Sequence, residues 1–258
     1  MSGRIRTGIP DLDEMLRGGF MEGDAVMLAG SAGTGKTTLA LQYLVNGVRD
    51  FEQKGLYVSF EQLPEQIYRD ANSFGWDLRA MENTNRLRVI CTSPNLLLED
   101  GGEHLLDTPI REIKPHRIVI DSLSHLGMYV SASELRRETY RLIMYLKTRG
   151  LSSLLTWEAS QAVGVPPPVS DIGVSFLVDC MILLRFVEID SSMRKALAVL
   201  KMRGSDHDKR LREFSVTPAG IKLAEPFIGY EGILTGSTRK TVTEAAVRAW
   251  GEAFGGKR

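Results

Sequence analysis

The sequence predicts an α/β fold, with a central, mostly parallel β-sheet flanked by helices and an antiparallel hairpin towards its C-terminal end. Three observations carry that expectation. Apolar runs alternate with amphipathic stretches along the chain, as strands and crossover helices do. The run Arg117-Ile118-Val119-Ile120-Asp121 is apolar without alternation, the mark of a strand buried on both faces. After Gly164-Val165-Pro166-Pro167-Pro168 the texture changes, and two long strand-like segments flank Asp190-Ser191-Ser192, a stretch suited to a hairpin turn.

Residues 24–30 predict the first strand and 35–49 a helix. A second strand follows at 55–60. Pro64 suits the first turn of a helix, which should reach about Phe74. Strands are expected at 87–91 and 117–121. Leu135, Tyr140, Leu142, Ile143 and Leu146 fall at helical spacing over 132–149, and Gly150 stops that helix before a strand at 151–157. The three prolines make 158–171 a surface loop. The hairpin strands are expected at 180–188 and 194–202, with shorter strands at 211–216 and 220–224. Residues 1–235 should form one domain, with 1–23 as its lead-in. Residues 236–258 read as a polar linker, a short amphipathic helix and a Gly-Gly-Lys-Arg end.

Bulk composition narrows the function. Lysine plus arginine balances aspartate plus glutamate, 32 against 32, which argues against a general nucleic-acid or membrane binder. The two cysteines, Cys91 and Cys180, border apolar runs and suit buried free thiols rather than a disulfide framework. No apolar run approaches the ~20 residues that span a bilayer. The start, Met1-Ser2-Gly3-Arg4, lacks the apolar core of a secretory signal, so a cytoplasmic protein is expected.

The chemistry is announced by Gly30-Ser31-Ala32-Gly33-Thr34-Gly35-Lys36-Thr37, which fits G-x-x-x-x-G-K-[ST], a phosphate-binding loop. An apolar strand precedes it and an amphipathic helix follows, the context this motif needs. Glycines let the backbone wrap a phosphate, and N–H groups at the helix start point at the anion. Lys36 would supply charge to the β- and γ-phosphates, and the Thr37 hydroxyl would ligate magnesium. Ser31, Ala32, Gly33, Thr34, Gly35, Lys36, Thr37 and Thr38 are the expected phosphate-binding set. Asp121 ends its strand where open α/β sheets place ligands, and would hold a metal-bound water. Glu61 follows the strand Leu56-Tyr57-Val58-Ser59-Phe60 and could activate the attacking water; a glutamate there also suits a plain turn. Thr156 and Glu158, at the end of the next strand, are candidates for sensing the γ-phosphate.

Together these pieces resemble one family. The opening Thr7-Gly8-Ile9-Pro10-Asp11-Leu12-Asp13-Glu14-Met15-Leu16 with Gly18-Gly19-Phe20 and Gly23, the stretch Ser73-Phe74-Gly75-Trp76-Asp77-Leu78, and Lys201-Met202-Arg203-Gly204-Ser205-Asp206-His207-Asp208 all resemble KaiC-like ATPases of the RecA superfamily. The resemblance runs from about residue 4 to 238. It implies a RecA-type P-loop fold and a homohexameric ring with ATP and Mg2+ between neighbours. Lys201, Arg203 and His207 would then reach the triphosphate of the adjacent subunit, with Met202 and Ser205 lining that edge. Ser73, Trp76 and Thr217 would border the nucleotide.

The departures carry their own expectations. Many members pair two glutamates where this chain has Glu61-Gln62. Members that phosphorylate themselves do so on adjacent serine and threonine; here Ser175 and Phe176 stand there, so an autokinase cycle is not expected to carry over intact. An aspartate that the family often places near the ribose is replaced by Pro218. Three functions stay open: a ring ATPase, a nucleotide-gated scaffold presenting the 158–178 segment to a protein partner, and RecA-like action on DNA. The last has only the scattered Arg239, Lys240, Lys257 and Arg258 in its favour.

Overall fold

The computed structural model describes residues 3–97, 104–159, 174–234 and 238–240. The lead-in folds back on itself. Strand β1 (Arg4–Ile5) pairs antiparallel with β2 (Phe20–Met21), and helix α1 (Pro10–Met15) lies between them in the chain. The Asp13 carboxylate accepts the backbone N–H groups of Thr7 and Gly8 and the Thr7 hydroxyl, closing the turn into α1. Gly19 lies at φ +114, where a Cβ would meet the Ile5 carbonyl oxygen at 2.3 Å, so only glycine lets the two short strands approach.

The main elements then alternate. Strand β3 (Ala25–Gly30) leads to helix α2 (Lys36–Asp50), β4 (Gly55–Ser59), α3 (Pro64–Asn72), α4 (Leu78–Asn83), β5 (Leu87–Cys91), α5 (Asp107–Ile113), β6 (Arg117–Asp121), α6 (Ala132–Thr148) and β7 (Ser152–Glu158). Antiparallel strands follow: β8 (Cys180–Ile189), β9 (Ser192–Met202), β10 (Arg212–Thr217) and β11 (Gly220–Pro226). A final pair, β12 (Tyr230–Glu231) and β13 (Arg239–Lys240), stands apart. The nine-stranded sheet runs β11-β10-β9-β8-β3-β7-β6-β4-β5. Pairs from β8 to β5 are parallel, and those from β8 to β11 antiparallel.

Helices cover both faces of the parallel part, which is why its strands are apolar on both faces through their middles. Val26, Leu28, Tyr57, Val119 and Leu154 bury against Leu39, Tyr43 and Leu44 of α2 on one face. Ala25, Met27, Leu56, Ile118, Ile120 and Leu155 bury against Leu142, Ile143 and Leu146 of α6 on the other. Arg117 pins the start of β6. Fully buried, it donates to the Tyr43 carbonyl at 2.7 Å and to Gln53 Oε1 at 2.7 Å, and stacks 4.5 Å from the Tyr43 ring centre. Helix α6 starts on a capping box, in which Ser131 accepts the Glu134 N–H and the Glu134 carboxylate accepts the Ser131 N–H.

The expected sheet and hairpin are present, with differences of physical origin. The hairpin is tighter than Asp190-Ser191-Ser192 suggests: Ser192 already pairs with Ile189, and Asp190 and Ser191 both take positive φ, a two-residue turn matched to strand twist. The helix opened by Pro64 ends at Asn72, where Ser73 caps it, rather than at Phe74. Helices α1, α4 and α5, six or seven residues each, and the β1–β2 pair were too short for periodicity to announce. The Pro166-Pro167-Pro168 segment and residues 241–258 lie outside the described residues. Arg239 and Lys240, expected in the linker, pair with Tyr230 and Glu231 instead.

Candidate nucleotide site

The loop at the end of β3 is built as its sequence requires. A Cβ at Gly30 would lie 2.7 Å from both the Leu184 carbonyl oxygen and Thr34 Oγ1, and Gly33 and Gly35 take φ +77 and +108. Ser31 and Thr34 are buried, while Ala32 and Gly33 face outwards. The Thr34 hydroxyl donates to the Ser31 carbonyl at 2.8 Å, and Lys36 Nζ donates to the same oxygen at 3.0 Å. Helix α2 begins at Lys36, with Thr37 and Thr38 half-buried in its first turn, where N–H groups lack helical partners. The Lys36 side chain is 9% exposed and lies 3.8 Å from Glu158 Oε2. Burial pulls its ammonium pKa down, opposed by the charges of Glu158, Asp121 and Glu61.

Asp121 sits at the centre. Its Oδ2 accepts the Thr37 hydroxyl at 2.7 Å and the Tyr57 hydroxyl at 2.5 Å, and its Oδ1 accepts the Thr156 hydroxyl. Register explains the meeting. Ser59 pairs with Asp121 and Ile120 with Leu155, so residues two apart on neighbouring strands point to the α2 face together. Burial, then the Asp121 charge, pushes the Tyr57 phenol well above its usual range, so it stays a donor. A hydroxyl and a carboxylate are hard oxygen donors of the kind magnesium takes, alongside phosphate oxygens. Among the described residues, no group of three His, Cys, Asp or Glu side chains is placed to hold a metal alone.

Glu61 stands at the mouth. Ser59 Oγ accepts the N–H groups of Glu61 at 3.3 Å and Gln62 at 2.9 Å, fixing the turn after β4. The Glu61 side chain is 72% exposed, and its Oε2 lies 3.6 Å from His125 Nε2. The other ring nitrogen of His125 is 3.2 Å from the Ser122 carbonyl oxygen. Tyr57 and His125 are site residues that sequence reasoning missed. Tyr57 is hidden in an apolar strand run, and His125 belongs to no motif.

The remaining candidates divide. Trp76 is 4% exposed and stacks on Phe74 at 4.8 Å, so its ring is a core group rather than an open platform. Ser73 is exposed and caps α3 by donating to the Asp70 carbonyl. Thr217 donates to the Gly220 carbonyl at 2.8 Å, and a Cβ on Gly220 would touch the Trp76 ring at 2.7 Å. Trp76 and the Thr217–Gly220 turn therefore meet beside α2, where Gln42 bonds both the N–H and the carbonyl of Ile221.

Lys201 and Arg203 lie elsewhere. Lys201 pairs with Met181, which pairs with Met27, and the Arg203 N–H bonds the carbonyl of Asp179, whose own N–H bonds Ala25. Arg203 is thus level with Ala25, five residues before Gly30, about 17 Å along the strand from the loop of its own chain. Lys201 Nζ donates to the carbonyls of Ser175 at 2.9 Å and Val178 at 2.7 Å. Arg203 donates to the Phe176 carbonyl at 2.6 Å and lies 3.6 Å from Asp179 Oδ1. The Met202 side chain is buried in the core, so it does not line this edge as expected; only its backbone can. Ser205 accepts from Arg4 at 2.6 Å, and His207 is half-buried.

The family described as "ATPase: KaiC" matches residues 5–227. The circadian clock oscillator protein KaiC of Synechococcus elongatus is 36% identical over 242 residues, covering 93% of this chain and 46% of that protein. The same-named protein of Parathermosynechococcus lividus is 38% identical over 246 residues, covering 93% of this chain and 44% of that one. That of a Prochlorococcus marinus strain is 33% identical over 244 residues, covering 95% and 48%. The chain spans about half the length of these curated relatives. A RecA-type nine-stranded sheet, a phosphate loop closed by Lys36 and a family match over most of its length place this chain in the KaiC family of ATPases.

Proposed function

We propose that the chain is a magnesium-dependent ATPase that works as a homohexameric ring, with ATP held between neighbouring subunits. The observation that carries the reading is the division of charge. The loop, Thr37, Asp121 and Glu61 gather at one end of the sheet, and Lys201 and Arg203 at the other. In a head-to-tail ring the two ends of adjacent subunits face each other.

On this reading each group has one role. Backbone N–H groups of residues 33–38 bind the phosphates. Lys36 exchanges the Ser31 carbonyl for the β- and γ-oxygens. Thr37, and Asp121 through water, would hold magnesium, which would neutralise phosphate charge. Glu61 takes a proton from water as its oxygen bonds the γ-phosphorus. The bond to the β–γ bridging oxygen breaks, and ADP departs with the electron pair. Arg203 and Lys201 of the neighbour neutralise charge developing on the transferred group. Thr156 and Glu158 report the γ-phosphate to the segment that follows β7. Adenine selectivity and a cytoplasmic setting come with the family reading; no described helix is long and apolar enough to cross a membrane.

Steady-state ATP hydrolysis with magnesium, run beside light scattering on the same sample and on Glu61→Gln, tests the proposal. Turnover by a hexamer that the substitution abolishes supports it. A hexamer that forms with ATP but does not turn over favours a nucleotide-gated scaffold with a protein partner. Turnover by a monomer defeats both.

A further inference from the structure

Tyr57 is fully buried on β4, and none of the steps above uses its phenol. Its neighbours give it a task. A carboxylate has about four lone-pair positions for hydrogen bonds. On Asp121, Thr37 and Tyr57 fill those of Oδ2, and Thr156 takes one of Oδ1. Among the described residues no other donor reaches this carboxylate, so one position remains, on Oδ1. All three donors are neutral hydroxyls, so they orient the carboxylate without cancelling its charge. Tyr57 cannot turn away, because β4 is sealed between β6 and β5 and its ring packs against the α2 face.

We propose that Tyr57 is a positioning residue for the magnesium site: its hydroxyl locks the Asp121 carboxylate so that one acceptor position is left for a metal-bound water. The same lock keeps the Thr37 proton on Oδ2, which leaves the lone pairs of Thr37 Oγ1 for the metal. Without Tyr57 the carboxylate can rotate about its last bond, and both features blur. The inference rests on Asp121 serving magnesium.

The test measures metal binding rather than turnover. Tyr57→Phe removes one oxygen and keeps the ring. Mn2+ binding to the protein–ADP complex, followed by electron paramagnetic resonance, should weaken about ten- to a hundredfold, the usual cost of losing a partner behind a metal ligand. ADP binding without metal should stay within about twofold. Asp121→Asn separates the two ideas. If it leaves Mn2+ affinity unchanged, the magnesium reading of Asp121 fails and this inference with it. If it weakens Mn2+ binding while folded Tyr57→Phe matches the native protein, the role of Tyr57 alone is overturned. Should Tyr57→Phe fail to fold, 3-fluorotyrosine in the otherwise native chain supplies the readout. The Tyr57 resonance should move when Mg2+ joins the ADP complex, and a resonance that stays put overturns the proposal.

Discussion

The two ends of the nine-stranded sheet are both rich in charge, yet they dispose of it in opposite ways. At the phosphate-loop end, Asp121 is held by three hydroxyls and Lys36 by one carbonyl, contacts that a ligand can join or replace without rebuilding the loop. At the far end, Lys201 and Arg203 are turned onto carbonyls of residues 175–178 and onto Asp179 in their own chain. Asp179 is also claimed by Lys147 and by the Ala25 N–H. The groups of the first end meet within one chain. On the proposed function the second end is half of a site, its cations held on their own chain until a neighbour's phosphates draw them out. The difference teaches that burial and neutral donors build a preorganised pocket, whereas half-exposed cations with carbonyl partners suit exchange between chains.

The largest effect is expected at the far end. Arg203→Ala should lower turnover by about 10³-fold or more if it acts on a neighbour's phosphate, while ATP binding to the isolated chain stays unchanged by equilibrium titration. Normal turnover would make the far end an ordinary surface. Glu61→Gln should cost about 10²–10⁴-fold in the chemical step. Single-turnover kinetics would show the loss with nucleotide affinity retained, since Glu61 is exposed at the mouth rather than built into the loop.

A smaller effect sharpens the picture of the far end as electrostatically unsettled. Asp24 carries a buried carboxylate oxygen with no hydrogen-bond partner among the described residues, and burial together with the Asp179 charge raises its pKa to about 6. The folded protein therefore holds this proton more tightly than the unfolded chain, and its ionisation erodes stability as pH rises from about 4 to above 6. Asp24→Asn should raise stability by about 1 kcal/mol at pH 8, after discounting for partial exposure and screening, with the gain fading towards pH 4. Urea denaturation at the two pH values checks it; a gain of equal size at both would trace to packing instead.

Much of the loop end was legible in the sequence, because its chemistry depends on residue type at fixed spacing. Gly30, Gly33 and Gly35 sit where a side chain would clash or strain the backbone, and Asp121 ends an unbroken apolar strand. Tyr57 was not legible as a site residue. An aromatic in a strand reads as core, and only the register of β4 against β6 shows that its hydroxyl reaches Asp121. Trp76 and Met202 show the reverse. Both lie in motif-like stretches, but their side chains went to the core, where large apolar groups gain most. His125 follows Asp121 by four residues and meets Glu61 only through tertiary packing.

If one site is assembled from the two unlike ends of neighbouring chains, two inactive variants should complement each other when mixed. Lys36→Ala disables the loop end and Arg203→Ala the far end, so each variant alone should be inactive. Mixed in equal amounts before ring assembly, they should recover about a quarter of native turnover, because a random neighbour pair joins two intact ends about one time in four. A mixture no more active than its separate components, in rings shown to contain both chains, would contradict the account.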